Sequence, residues 1–361
     1  MKVTKDFVSL AFSVAIGLVV LFKYGFKPIK SIWAPLFLVF LVFNIYKSPT
    51  SSLFVQGINM DNLWNFFASY KIMVYSFLFL GIINSGMTKA DIVSIMKVVM
   101  YAGVTMAFVI FVQKLNMDQI FSLFPKEIIG QTANPQLGGT MGHATLCSPF
   151  IVMTVPFAIY FKKWLITALM VIAVVLSGSS FAMAGLVCIL VFMSMKSLKW
   201  FGGSLLVCLV ISLVFIYFNR DFLESNGRYE MWTLVVHDIF NGKIAWTGAG
   251  IGAFKYLFAM RYHNTWYRAH NEYLQLMWCC GLIGSFLVIM IAKDVIKEAL
   301  KNFNKENKAI ISAFVGIGVI CCGTFILQLA VYQFYLVVLT ALIYLSNKGE
   351  HYVGFNQEIN S

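Results

Sequence analysis

All four arginines of this chain, Arg220, Arg228, Arg261 and Arg268, lie within one interval, whereas only two of its 23 lysines, Lys243 and Lys255, share it. Three of the five histidines, His237, His263 and His270, fall in or beside the same interval. Guanidinium is a planar, permanently charged fork suited to carboxylate and phosphate oxygens, while ammonium is a solvated point charge. The segregation implies that the lysines set topology and the arginines hold an anionic ligand. At the end of the interval stands His270-Asn271-Glu272, two residues after Arg268. A neutral imidazole held there could accept a proton near neutral pH. A structural or solvated histidine is the competing reading of the same residues.

Two further residues could join such a site. Lys71 sits inside an apolar run, where a cation is a functional candidate or else snorkels to the interface. His143 closes the segment Gly139-Thr-Met-Gly142-His143 at the end of another apolar run. Other chemistries find little support. There is no His-x-x-x-His or paired-carboxylate motif for a metal and no Walker loop for nucleotide hydrolysis. Gly248-Ala-Gly250-Ile-Gly252 has no βαβ surroundings and reads as a flexible turn, not a dinucleotide fingerprint. The adjacent pairs Cys279-Cys280 and Cys321-Cys322 lie in apolar runs and read as small apolar residues. No cofactor and no metal are therefore expected.

The elements that must position these residues are membrane helices. Charged residues are only 12% of the chain, about half the share usual in soluble proteins, and hydrophobic residues are 60%. The net charge of +12 comes from lysines beside apolar segments, so it marks orientation and not nucleic-acid binding. Candidate spans are Phe7 to Phe22, Ile32 to Tyr46, Leu63 to Ile83, Ile92 to Val112, Thr140 to Phe161, Phe201 to Phe218 and Tyr273 to Ala292. The first reads as a retained helix, since no small-residue cleavage site follows it. The uncharged run Trp164 to Met195 would be roughly 48 Å long as one helix, too long for a single crossing. It splits at Ser177-Gly-Ser-Ser180, and Ala309 to Leu345 splits near Gln328 to Gln333. The expectation is a single all-α polytopic membrane domain over residues 1–361, a bundle of about eleven spans (ten to twelve).

Lysines recur in every second connection: Lys23 to Lys30, Lys89, Lys162-Lys163, Lys196 and Lys199, and Lys293 to Lys308. By the positive-inside tendency these connections are cytoplasmic. The segment 219–272 is then extracytoplasmic, as are Gln113 to Gly139, the Ser177 to Ser180 turn and the N-terminus. In the long segment, Ser225-Asn226 can cap a helix from Arg228 to Phe240, whose apolar face of Met231, Trp232, Val235 and Val236 would lie on the membrane. Trp266, Tyr267 and Tyr273 could stack on sugar rings or form an interfacial belt.

His270-Asn271, nine residues, Gly281, two residues and Gly284 resemble the motif of the O-antigen ligase and polymerase superfamily. Arg228-Tyr-Glu-Met-Trp232 is similar to that family's Arg motif, Gly248 to Phe254 to its glycine-rich stretch, and Gly139 to His143 to its earlier Gly-Thr-x-Gly segment. The resemblance spans roughly Gly138 to Gly284. It implies a metal-independent enzyme of the bacterial inner membrane, acting at the periplasmic face on glycans linked to undecaprenyl diphosphate. His270 would then be the catalytic base, Arg228 would hold the donor diphosphate, and Lys71 would match an early lysine of the ligases. Many members carry an arginine just after the Ser-rich turn, where this chain has Phe181. Arg220, Arg261 or Arg268 would have to supply the second cation, with Asn271 and His143 as further substrate contacts.

The chemistry agrees with that implication. Transfer leaves negative charge on the departing diphosphate, and one cation about 4 Å away contributes roughly 4 kcal/mol at an effective dielectric near 20. The expected function is ligation of the glycan to a hydroxyl of lipid A-core, with polymerisation onto a growing glycan chain as the alternative. A transporter of lipid-linked glycan needs no base at the outer surface and would be expected to show internal repeats, which the sequence lacks. An accessory membrane subunit is the remaining alternative.

Overall fold

The computed structural model describes residues 13–15, 17–20, 22–23, 31–47, 54–55, 58–114, 141, 144–195, 198–218, 227–242, 244, 246–262 and 268–358. The described chain is almost wholly helical, apart from a two-residue antiparallel pair, β1 (Phe54–Val55) with β2 (Ile58–Asn59). The helices are α1 (Trp33–Lys47), α2 (Met60–Asn84), α3 (Lys89–Lys114), α4 (Ala144–Tyr160), α5 (Trp164–Leu176), α6 (Ser180–Ser194) and α7 (Phe201–Phe218). Then come α8 (Arg228–Phe240), α9 (Ala259–Tyr262), α10 (Glu272–Lys301), α11 (Lys305–Ile320) and α12 (Ala330–Glu358). Among the described residues three helices are long and apolar enough to cross a membrane, Lys89–Lys114, Glu272–Lys301 and Ala330–Asn347. Six shorter apolar helices accompany them. That is the make-up of a membrane protein.

Both long uncharged runs break where length demands it. α5 stops at Leu176 and α6 starts at Ser180, with Gly178 at φ +68° making the turn between them. α11 stops at Ile320 and α12 starts at Ala330, so the second break begins several residues before the expected Gln328.

The core is a bundle in which α6 and α4 pack on α11, α3 on α4 and α5, and α2 on α12. Small residues bring the backbones together. A Cβ on Gly185 of α6 would stand 2.9 Å from the carbonyl oxygen of Gly316 in α11. Close approach of this kind drives helix association where lipid leaves little hydrophobic force.

The bundle has two chemically different ends. At one, Lys89 pairs with Glu306 at 3.4 Å, the Tyr160 hydroxyl donates to Glu306 at 3.0 Å, and the Lys308 ammonium donates to the Met195 carbonyl. Ser31 donates to Asp294 at 2.6 Å and Asn347 to the Glu298 carbonyl at 2.7 Å at the same end. These are the lysine-bearing connections that the sequence groups on one side. The other end gathers the Ser-rich turn, the start of α8, the start of α10 and the α11–α12 loop.

A second hydrophobic cluster stands apart from the main core. It joins Met231, Val235 and Ile239 of α8 to Phe254, Phe258, Trp278 and Phe40. The inward stripe of α8 thus packs on protein and not on the membrane, and Val236 is exposed. The residue before Arg228 in cap position is Gly227, at φ +65°, in place of the expected Ser225-Asn226, which lie outside the described residues.

Candidate functional site

α8 begins at Arg228, whose Nη1 donates to the Gly323 carbonyl at 3.1 Å. Burial pulls the Arg228 pKa down from its ordinary value, yet a guanidinium stays charged in proteins. One turn along, the Trp232 indole donates to the Ala269 carbonyl at 2.7 Å, tying α8 to the residue before His270. Two turns further, Asp238 is wholly buried and accepts from Arg261 at 2.8 Å, Tyr262 at 2.6 Å and Trp278 at 3.2 Å. Desolvation raises the Asp238 pKa, but hydrogen bonds from Tyr262, Arg261 and Trp278, with the Arg261 charge, outweigh it and leave it below the ordinary carboxylate value.

His270 adopts φ +51°, a left-handed conformation that few non-glycine residues take. Its neighbours hold it there. Asn271 caps α10, accepting from the backbone N–H groups of Tyr273 and Leu274 at 3.1 Å each, and its amide donates to the Cys322 carbonyl at 3.0 Å. The Glu272 N–H donates to the Cys321 carbonyl at 2.9 Å, and its buried carboxylate accepts from the Leu327 N–H at 2.8 Å. The Tyr273 hydroxyl reaches the Gly318 carbonyl at 2.7 Å. Every residue from Asn271 to Tyr273 is therefore stitched to α11 or to the loop that follows it.

Phe325 in that loop is the common surface. The Arg268 guanidinium carbon lies 4.2 Å from its ring centroid, and the His270 ring stands 4.8 Å away at 80°. Three residues of the stretch Cys322 to Phe325 thus receive four side chains: Cys322 takes Asn271, Gly323 takes Arg228, and Phe325 takes both Arg268 and His270. Across the same loop, a Cβ on Gly323 would come within 2.1 Å of the Phe181 ring, so Phe181 packs against the residue that holds Arg228.

α10 is not the continuous span that Tyr273 to Ala292 suggests. Gly281 has φ +63° and ψ −168°, a conformation open essentially to glycine alone, and the helix breaks there. The glycine stretch fills the break. Ala249 and Gly250 N–H groups donate to the Trp278 and Cys279 carbonyls at 3.0 and 2.9 Å, and Ile283 N–H donates to the Trp246 carbonyl at 3.0 Å. The expected flexible turn is an anchored insert that satisfies the carbonyls which the broken helix leaves without partners.

The candidate residues therefore separate into groups. Arg228, Arg268, His270 and Asn271 converge on one loop. Arg261 stands with Asp238 in the second cluster, where it neutralises a buried carboxylate. Lys71 is half-buried in α2, one turn before Tyr75, whose hydroxyl donates to the Ala330 carbonyl at 3.1 Å. That sets Lys71 about 6 Å beyond Tyr75 on the side away from Lys89, at the arginine end. Arg220 and His143 lie outside the described residues, as do His263, Trp266 and Tyr267. Sequence reasoning missed Phe325, Gly323 and the stitching by Glu272. The available signal was the break in an overlong apolar run, with Gly323-Thr324-Phe325 at its start.

No protein-family model matches the chain, and no curated protein matches it either.

Proposed function

We propose that the chain is a membrane glycan transferase of the O-antigen ligase kind, moving a glycan from undecaprenyl diphosphate to a hydroxyl of lipid A-core. In this reading the bundle crosses the bacterial inner membrane about eleven times, the lysine end faces the cytoplasm and the arginine end faces the periplasm. The observation that carries it is the convergence of Arg228, Arg268, His270 and Asn271 on residues Cys322 to Phe325. Two guanidinium groups beside one imidazole, at the end away from the lysines, suit an anionic leaving group and a hydroxyl nucleophile.

The step is a displacement at the anomeric carbon. The acceptor oxygen forms its bond to that carbon as the carbon–oxygen bond to the diphosphate breaks, and undecaprenyl diphosphate departs. His270 takes the acceptor proton. Arg228 and Arg268 stabilise the charge that grows on the leaving group, and that differential effect is what accelerates reaction. The Arg268 guanidinium is held by an aromatic face and so is pre-organised before the donor arrives.

Polymerisation onto a growing glycan uses the same residues and differs only in acceptor. Purified protein incubated with glycan-bearing undecaprenyl diphosphate and either lipid A-core or a second donor separates the two. Lipid A-core product supports ligation, lengthened chains support polymerisation, and turnover with neither refutes the transferase reading.

A further inference from the structure

One residue holds both ends of the loop on which the site residues converge. Glu272 donates its N–H to the Cys321 carbonyl at 2.9 Å, where the loop begins. Its carboxylate accepts from the Leu327 N–H at 2.8 Å and from the Gln328 amide at 3.4 Å, in the 3-10 turn Ile326–Gln328 where the loop ends. Between these two grips lie Cys322, Gly323 and Phe325. Gln333 secures the far end as well, donating to the Leu327 carbonyl at 2.7 Å.

A carboxylate suits this place better than a neutral side chain. The Leu327 N–H and the Gln328 amide each take one of its oxygens, and the Arg268 charge also acts on it. An ionised carboxylate only accepts, whereas a glutamine there would turn an NH₂ group toward one of those donors. Glu272 is 9% exposed, and a buried carboxylate needs such compensation. The loop has other ties to the core. Ile326 is wholly buried in it, and Thr324 donates back to the Ile320 carbonyl at 3.1 Å. Phe325 between them is half-buried and carries Arg268 and His270.

We propose that Glu272 is a positioning residue for glycan transfer, acting through Arg268 and the Phe325 ring without touching donor or acceptor. This rests on the transferase reading above. Neutralising Glu272 removes a countercharge of Arg268 and slackens the end of the loop that sets Phe325 against His270. Arg268 then meets the charge growing on the leaving group less well. Turnover falls, while the donor is still bound at Arg228.

Steady-state transfer at varied donor concentration, on the full chain in lipid nanodiscs, tests this together with hydrogen exchange of residues 321–328. In Glu272→Gln, kcat per folded molecule should fall about tenfold, the worth of one hydrogen bond to a charged group. Donor KM should stay within about twofold of wild type, and the Leu327 amide should exchange faster. The double variant Glu272→Gln with Gln328→Glu sets a carboxylate opposite an amide again and should recover most of the turnover. A kcat like that of wild type in Glu272→Gln overturns the proposal, and so does a double variant as slow as the single one. Loss of folded protein with kcat per folded molecule unchanged shows a role in folding alone and overturns it too. Should Glu272→Gln not fold, Gln328→Ala removes one donor to the carboxylate and should lower kcat about threefold; an unchanged kcat there counts as refutation. A wild type without transfer overturns the transferase reading and this role with it, whereas any of the other refutations leaves that reading standing.

Discussion

His270 meets Phe325 with ring centroids 4.8 Å apart and planes at 80°, and it does so from a left-handed backbone conformation. The conformation and the contact belong together. An extended or helical His270 would not keep this approach while Asn271 still capped α10 and bonded the Cys322 carbonyl. Strain of this kind costs on the order of 1 kcal/mol or more and persists where the surroundings over-determine it.

That strain gives a prediction that separates function from folding. His270→Gly relieves the backbone and loses the ring contact, so its stability should stay within about 1 kcal/mol of wild type. Glycan transfer should vanish in it, as in His270→Ala, while donor binding persists. Thermal unfolding and transfer assays on the same preparations check this. Full transfer by His270→Ala removes the base assignment.

Arg228→Lys keeps the charge and loses the fork. The shorter reach and single ammonium cannot serve both the Gly323 carbonyl and a phosphoryl oxygen in the same geometry. Transfer should fall by roughly 100-fold or more, an effect of the size seen when one donor to a developing anion is removed. Near-native turnover would count against bidentate holding.

Asp238 makes a pH prediction. Its folded pKa lies below the ordinary 3.8, so the stability it contributes is fully present above that value and is lost as pH falls through the lower folded value. As pH falls below 3.8, thermal stability should therefore drop more steeply in wild type than in Asp238→Asn. Asp238→Ala at neutral pH leaves the Trp278 indole and Arg261 without their acceptor and should cost about 3 kcal/mol. Arg261 is 38% exposed, so solvent screens part of its share.

Two glycines bracket the effect of the helix break. A Cβ on Gly281 would stand 2.4 Å from the Gly248 nitrogen, so Gly281→Ala should destabilise by about 3 kcal/mol and loosen the inserted stretch. A Cβ on Gly202, in helical α7, meets nothing within 4 Å, and Gly202→Ala should be neutral or stabilise by up to about 1 kcal/mol. Hydrogen exchange of residues 246–250 reports the first effect directly.

Much of this was legible from residue types. The overlong apolar runs announced their breaks through length alone, and the lysines marked the end where Lys89, Lys308 and Glu306 now cluster. The arginines did not divide themselves. Arg228 and Arg261 look equivalent in sequence, but buried Asp238 captures one and a loop carbonyl the other. Gly281 read as part of a span, because a lone glycine in an apolar run does not reveal that a distant backbone segment inserts beside it. Phe325 was one of 34 phenylalanines, and nothing local distinguishes the one that receives Arg268 and His270.

Phosphorus NMR of undecaprenyl diphosphate bound to the purified protein tests the central claim most directly. Arg228 gripping the diphosphate predicts a shifted phosphorus resonance in wild type and in His270→Ala, and a resonance returned toward the free position in Arg228→Lys. A resonance that stays at the free position in wild type, or shifts equally with and without the Arg228 guanidinium, would contradict it.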